Sequence, residues 1–129
     1  MRFSTLALIL PIQAAAVAAA AAKHSKEFGK CLDDDFHRTV DDWQREVYAS
    51  HECTEHFVDG IDSIIRKAKK GYHERDRAEH FQELIETKGA HFKHCAKKEL
   101  DHEFAREDIG TTDKYVAILV EIVYECDRS

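Results

Sequence analysis

Apolar residues recur along this chain at helical spacing, and the first clear run is Leu32, Phe36, Val40, Trp43 and Val47, separated by four, four, three and four positions. Side chains so spaced share one face of an α-helix, so the run predicts an amphipathic helix with its stripe turned inward. A second stripe follows in Phe57, Ile61, Ile64, Ile65 and Ala68 and stops at Gly71, with Asp59-Gly60 a candidate kink or break inside it. A third, Ala78, Phe81, Leu84 and Ile85, halts at Gly89, and a fourth, Phe92, Cys95, Ala96, Leu100 and Phe104, halts near Gly110. The last segment, DKYVAILVEIVYEC, is rich in β-branched residues and would suit a buried strand as well. Tyr115, Ile118, Leu119, Ile122 and Cys126 nevertheless hold helical spacing, Thr112 is placed to cap a helix with Asp113 in its first turn, and no other segment alternates to partner a strand. The expected fold is therefore all-α, a compact bundle of about five helices joined by short glycine-marked turns.

The N-terminus departs from this pattern. MRFSTLALILPIQAAAVAAAAAK carries one Arg, an apolar run from Leu6 to Ile12, and then small residues with several A-x-A sites before Lys23. That is the layout of a secretory signal peptide, assigned to residues 1–22 with cleavage between Ala18 and Ala22. Its strongly apolar core is about half the roughly 20 residues of a spanning helix, so no stable membrane association is expected. Residues 23–129 then form a single helical domain.

All four cysteines, Cys31, Cys53, Cys95 and Cys126, follow the leader. On the secretory route an even count favours two disulfides, which would matter to so short a domain. Along a helix Cys31 and Cys53 would lie about 30 Å apart, whereas bridged Cα atoms lie within about 7 Å, which disfavours that pair unless the chain reverses between Val47 and Cys53. Two connectivities remain open: Cys31 with Cys126 and Cys53 with Cys95, or Cys31 with Cys95 and Cys53 with Cys126. The nested first arrangement, slightly in front, would tie the ends of the chain together.

Charge limits the partners. All 25 acidic residues fall after residue 22, against 18 Lys plus Arg there, a formal charge of −7. Such a chain repels phosphate backbones, and no nucleic-acid partner is expected. The one basic run, Arg66 to Lys70, ends beside Gly71, where it complements the carbonyl end of a helix.

The stretch HECTEH, His51 to His56, resembles at first sight the H-E-x-x-H helix of zinc proteases, whose histidines stand four apart on one face. Here they stand five apart, which leaves His51 and His56 about 140° apart around the helix. If Cys53 and Cys95 are bridged, His56 and His91 would flank the bond, with Glu52 and His94 further round. Two imidazoles do not make a closed zinc site, so no metal and no other cofactor is assigned. His56 and His91 are instead a candidate pH-sensitive patch, since histidine titrates near pH 6.5. The plainer expectation is exposed histidines paired with carboxylates one turn away, His51 with Glu55 and Glu52 with His56. No serine stands in a G-x-S-x-G context and no glycine-rich phosphate loop occurs, so no catalytic residue is assigned.

The MRFSTLAL opening, the Ala-rich leader and the short, acidic, four-cysteine mature chain resemble the small secreted effector-type proteins of filamentous fungi. The resemblance lies in layout and carries no catalytic motif. It implies an extracellular virulence protein that binds an unidentified host protein and blunts host defence without chemistry of its own, with later entry into host cells left open. Tyr48 and Tyr72 are the candidate contact residues, because exposed tyrosines are frequent interface anchors. An alternative is an extracellular carrier of small apolar ligands, similar in size and class to insect odorant-binding proteins but lacking their cysteine triad. Nothing in the pattern sets the oligomeric state.

Overall fold

The computed structural model describes residues 14–72 and 74–128, with side chains from residue 27 onward. Residues 1–13 of the expected leader lie outside the described residues, and 14–22 are described only as helical backbone. Among the described residues four helices make up the fold: α1 (Ala14–Glu46), α2 (His51–Lys69), α3 (Arg77–Glu99) and α4 (His102–Arg128). Among the described residues there is no strand, and no helix is long and apolar enough to cross a membrane.

Each helix packs against its two neighbours in a ring, α1 on α2 and α4, α3 on α2 and α4. Pairings across the seams run in opposite directions: Cys31 meets Cys126 while Trp43 meets Thr112, and Cys53 meets Cys95 while Gly60 faces Lys88. The result is an up-down-up-down four-helix bundle. One end carries the connections 47–50 and 100–101 and is called here the two-turn end. The other, the one-turn end, carries the connection 70–76 and the C-terminus of α4.

The predicted stripes supply the core. Leu32, Phe36, Val40 and Trp43 of α1, with Phe28 added, face Phe57, Ile61, Ile64, Ile65 and Ala68 of α2 and Phe81, Ile85 and Phe92 of α3. Rings gather towards both ends: Trp43 lies 4.6 Å from Phe57 and 4.8 Å from Phe92, and Phe28 lies 5.4 Å from Phe81. Trp43 also donates its indole N–H to the buried Thr112 hydroxyl at 3.0 Å, which satisfies two polar groups that would be costly to bury alone.

The pattern predicts five helices where the described residues form four, and the difference lies in the glycines. Gly89 does not end a helix; it sits inside α3, where an added Cβ would stand 2.8 Å from Val116 Cγ2 on α4. It is small so that two helices can approach. Gly60 likewise sits in an unbroken α2 against the Lys88 stem, and Gly110 lies within α4 with nothing near it. A helical glycine costs about 1 kcal/mol relative to alanine, which the apolar stripe on either side outweighs. The true break between α3 and α4 falls at Leu100 and Asp101, so the expected fourth segment is divided: Phe92, Cys95 and Ala96 join the third in α3, Phe104 joins the fifth in α4, and Thr112 is an interior residue of α4, not a cap. Only Gly71 ends its helix as expected: at φ 87° it adopts the left-handed conformation and its N–H bonds the Ala68 carbonyl at 3.1 Å.

Both disulfides have the nested connectivity. Cys31–Cys126 joins α1 to α4 near the one-turn end, with Cα atoms 5.8 Å apart, and Cys53–Cys95 joins α2 to α3 near the two-turn end, at 5.7 Å. The chain does reverse at 47–50, yet Cys31 and Cys53 lie towards opposite ends of the bundle.

Candidate functional site

At the two-turn end, four residues link α1 to α2, and their conformation is set by side chains from the opposite half of the bundle. Asp108 of α4 is fully buried and accepts the N–H groups of Tyr48 on Oδ1 at 2.8 Å and of Ala49 on Oδ2 at 2.9 Å. Glu99, the last residue of α3, accepts both the N–H and the hydroxyl of Ser50, the latter at 2.8 Å. Carboxylates paired with backbone N–H groups are among the stronger hydrogen bonds, and the loss of a buried one leaves donors stranded. Val47, Ala49 and Leu100 pack on the core beneath. The connection between α1 and α2 is therefore clamped by α3 and α4.

What the clamp presents is an aromatic pair. Among the described residues the most exposed large apolar side chains are Tyr48, at 54%, and Phe104, at 43%, and the two touch each other, with ring centroids 4.8 Å apart in an edge-to-face arrangement. Phe104 lies one helical turn before Asp108 on α4, so the helix that fixes the Tyr48 backbone also carries its ring neighbour. Nearby, the Tyr115 hydroxyl donates to the Glu46 carboxylate at the end of α1. That bond, aided by burial, pushes the Tyr115 phenol up to about 12.

The other candidate residues fall as follows. In HECTEH, Cys53 and Thr54 are buried while His51, Glu52, Glu55 and His56 are exposed. His51 pairs with Glu55 at 2.9 Å, whereas Glu52 and His56 make no ion pair with each other. The Cys53–Cys95 bond forms, and His56 and His91, one turn from its two cysteines, are both exposed. Among the described residues neither histidine belongs to a group of three or more ligand atoms close enough to hold one ion. The group that is close enough, Cys31, Asp35 and Cys126, has both sulfurs committed to a disulfide.

Tyr72 differs from Tyr48. It is half-buried, stacks on His80 with centroids 5.0 Å apart, and meets Phe81 edge-on at 5.3 Å; burial raises its phenol above the ordinary range. Phe104, expected on the inward stripe of the fourth segment, is instead exposed, and the break expected at Gly110 kept Asp108 from being read with the stripe of α4. Read as one helix, Ala105, Asp108, Thr112, Tyr115 and Leu119 recur at three, four, three and four, and a carboxylate at a core position is the signal for a buried clamp.

A cleft of about 510 Å³ runs along the seam of α3 and α4, lined by Gln82, Glu86, Lys93 and Asp113 as well as Val116 and Val120. The Lys93 ammonium bonds Asp113 at 2.6 Å across it. A carrier of apolar ligands calls for a predominantly apolar chamber, which this mixed lining is not.

The chain matches no family model, no curated protein and no solved structure, so its clamped aromatic pair has to be read on its own chemistry.

Proposed function

We propose that this is a secreted protein that works by binding another protein, with Tyr48 and Phe104 as its anchor and without catalysis. The observation that carries the reading is that Tyr48 is exposed yet held: its ring stands in solvent while its backbone is bonded to a buried carboxylate. A ring presented on a fixed backbone loses little conformational freedom on docking, and aromatic side chains dominate the energetics of protein interfaces. Two disulfides suit a protein made for an oxidising, extracellular setting. The resemblance to small secreted fungal proteins makes a host protein the proposed target and suppression of host defence the proposed outcome.

The test uses the oxidised mature chain, residues 23–129, immobilised beside a Y48A/F104A variant of equal thermal stability. Host extract passed over both should yield a protein retained by the first and lost from the second. Equal retention by both would sink the reading.

A further inference from the structure

The aromatic pair is set in an uneven field. The two stretches that close this end, residues 45–55 and 97–108, hold eight Asp plus Glu against four Lys plus Arg, a net of −4 out of −7 for residues 23–129. Four of those carboxylates are spoken for inside the fold: Asp108 and Glu99 by the 47–50 backbone, Glu46 by Tyr115 and Glu55 by His51. The remaining four, Glu52, Asp101, Glu103 and Glu107, are exposed and carry no side-chain hydrogen bond or ion pair.

Helix geometry places two of the four beside the rings. At 100° per residue Glu107 stands about 60° from Phe104, one turn after it, and Asp101, which leads into α4 and accepts the Ala105 N–H on its carbonyl, stands three residues before it. Arg106 stands about 160° away, on the far side of α4. The rings are thus flanked by free negative charge with the neighbouring cation turned from them.

This arrangement selects among occupants. A second copy of the chain would bring the same negative field against itself, and like charges brought together weaken association. Aromatic faces and carboxylates both attract a guanidinium or an ammonium, the first through the ring quadrupole and the second by charge and hydrogen bonding. We infer that the Tyr48–Phe104 pair with Asp101 and Glu107 is a recognition site for a cationic side chain, arginine above all, on a basic segment of a partner protein. The inference rests on the binding reading above and names the chemistry of its partner. Arginine fits better than lysine because its planar group can stack on a ring while donating two parallel hydrogen bonds to a carboxylate.

The probe is a fluorescein-labelled peptide of alternating Arg and Gly, titrated into the oxidised mature chain and followed by anisotropy, with Lys-Gly and Glu-Gly peptides alongside. The Arg peptide should bind, the Lys peptide more weakly and the Glu peptide not at all, with affinity falling as salt rises. D101N/E107Q should weaken the Arg peptide about tenfold and F104A about fivefold. E79Q/E83Q, which removes the same charge from the flank of α3, should leave it nearly unchanged, as should R106Q. Equal weakening by D101N/E107Q and E79Q/E83Q would reduce the effect to net charge and overturn the inference. A partner from host extract that needs Tyr48 and Phe104 yet binds D101N/E107Q at full strength would also overturn it while leaving the binding reading intact; a partner indifferent to all of these variants would end both.

Discussion

The two ends of the bundle solve the same problem in opposite ways. At the one-turn end, rings are taken inside and covered: Phe28 packs on Phe81, and the buried Arg77 lays its guanidinium 4.1 Å from the Phe28 ring while bonding Asp127 at 2.5 Å and the Tyr72 carbonyl. At the two-turn end a buried acid takes the place of the buried base. Asp108 spends both oxygens on loop N–H groups, and two rings of that end, Tyr48 and Phe104, are left outside while Trp43, Phe57 and Phe92 pack within. A charge that covers an aromatic face closes an end; a charge that holds backbone leaves the aromatic face available. The contrast separates packing from presentation within one small fold.

Breaking the staples should have the largest effect. The outer loop closed by Cys31–Cys126 spans 95 positions and the inner, closed by Cys53–Cys95, spans 42, but nesting shortens the outer one in the unfolded chain. Chain-entropy reasoning then gives each bond about 4 kcal/mol. Guanidinium unfolding of C31S/C126S and C53S/C95S should show similar losses; a gap above about 1.5 kcal/mol would mark one end as the more strained or the more structured when unfolded.

Next come the two buried charges. D108A strands two donors and should cost about 3 kcal/mol, while R77M keeps most of its packing, leaves a half-exposed Asp127 behind and should cost about 1 to 2 kcal/mol. If R77M proves the more damaging, the one-turn end is held chiefly by its charge, and the comparison inverts.

Smaller again is the effect of pH. Near the one-turn end a hydrogen bond from Lys69 holds the Asp33 carboxyl below the usual range, so its contribution is present above the ordinary carboxylate value and fades as pH falls through the lowered one. The Tyr115 phenol at about 12 works the other way: its contribution is full below its ordinary value of 10.0 and is lost as pH rises towards 12. Y115F should lose about 1 kcal/mol at pH 7 and show less alkaline destabilisation than wild type, as read from short unfolding scans at pH 9 to 12. The raised Tyr72 is common to both proteins and cancels in their difference. Smallest of all, Y48A or F104A should change stability by about 0.5 kcal/mol or less, because each removes an exposed ring.

Much of the fold was legible because burial enforces period. Leu32, Phe36, Val40 and Trp43 announced α1, and the second stripe announced α2 to within a few residues. The later helices were cut wrongly because one residue type serves two physical ends. Glycine at position 71 is needed for its positive φ, whereas at 89 it is needed for its missing Cβ, and spacing alone does not distinguish them. The site was less legible still. Tyr48 follows the α1 stripe by one residue, and its exposure depends on Asp108, 60 positions away, which no local pattern links to it.

The pattern of covalent links also shapes what a protease can do to this molecule. Each of the four helix seams is bridged, either by a connection of chain or by a disulfide: 47–50 for α1 and α2, 100–101 for α3 and α4, Cys53–Cys95 together with 70–76 for α2 and α3, and Cys31–Cys126 for α1 and α4. The backbone and its cross-links form a closed circuit. A cut in any one connection leaves every helix tied to the rest, so a singly nicked molecule runs as one piece until it is reduced.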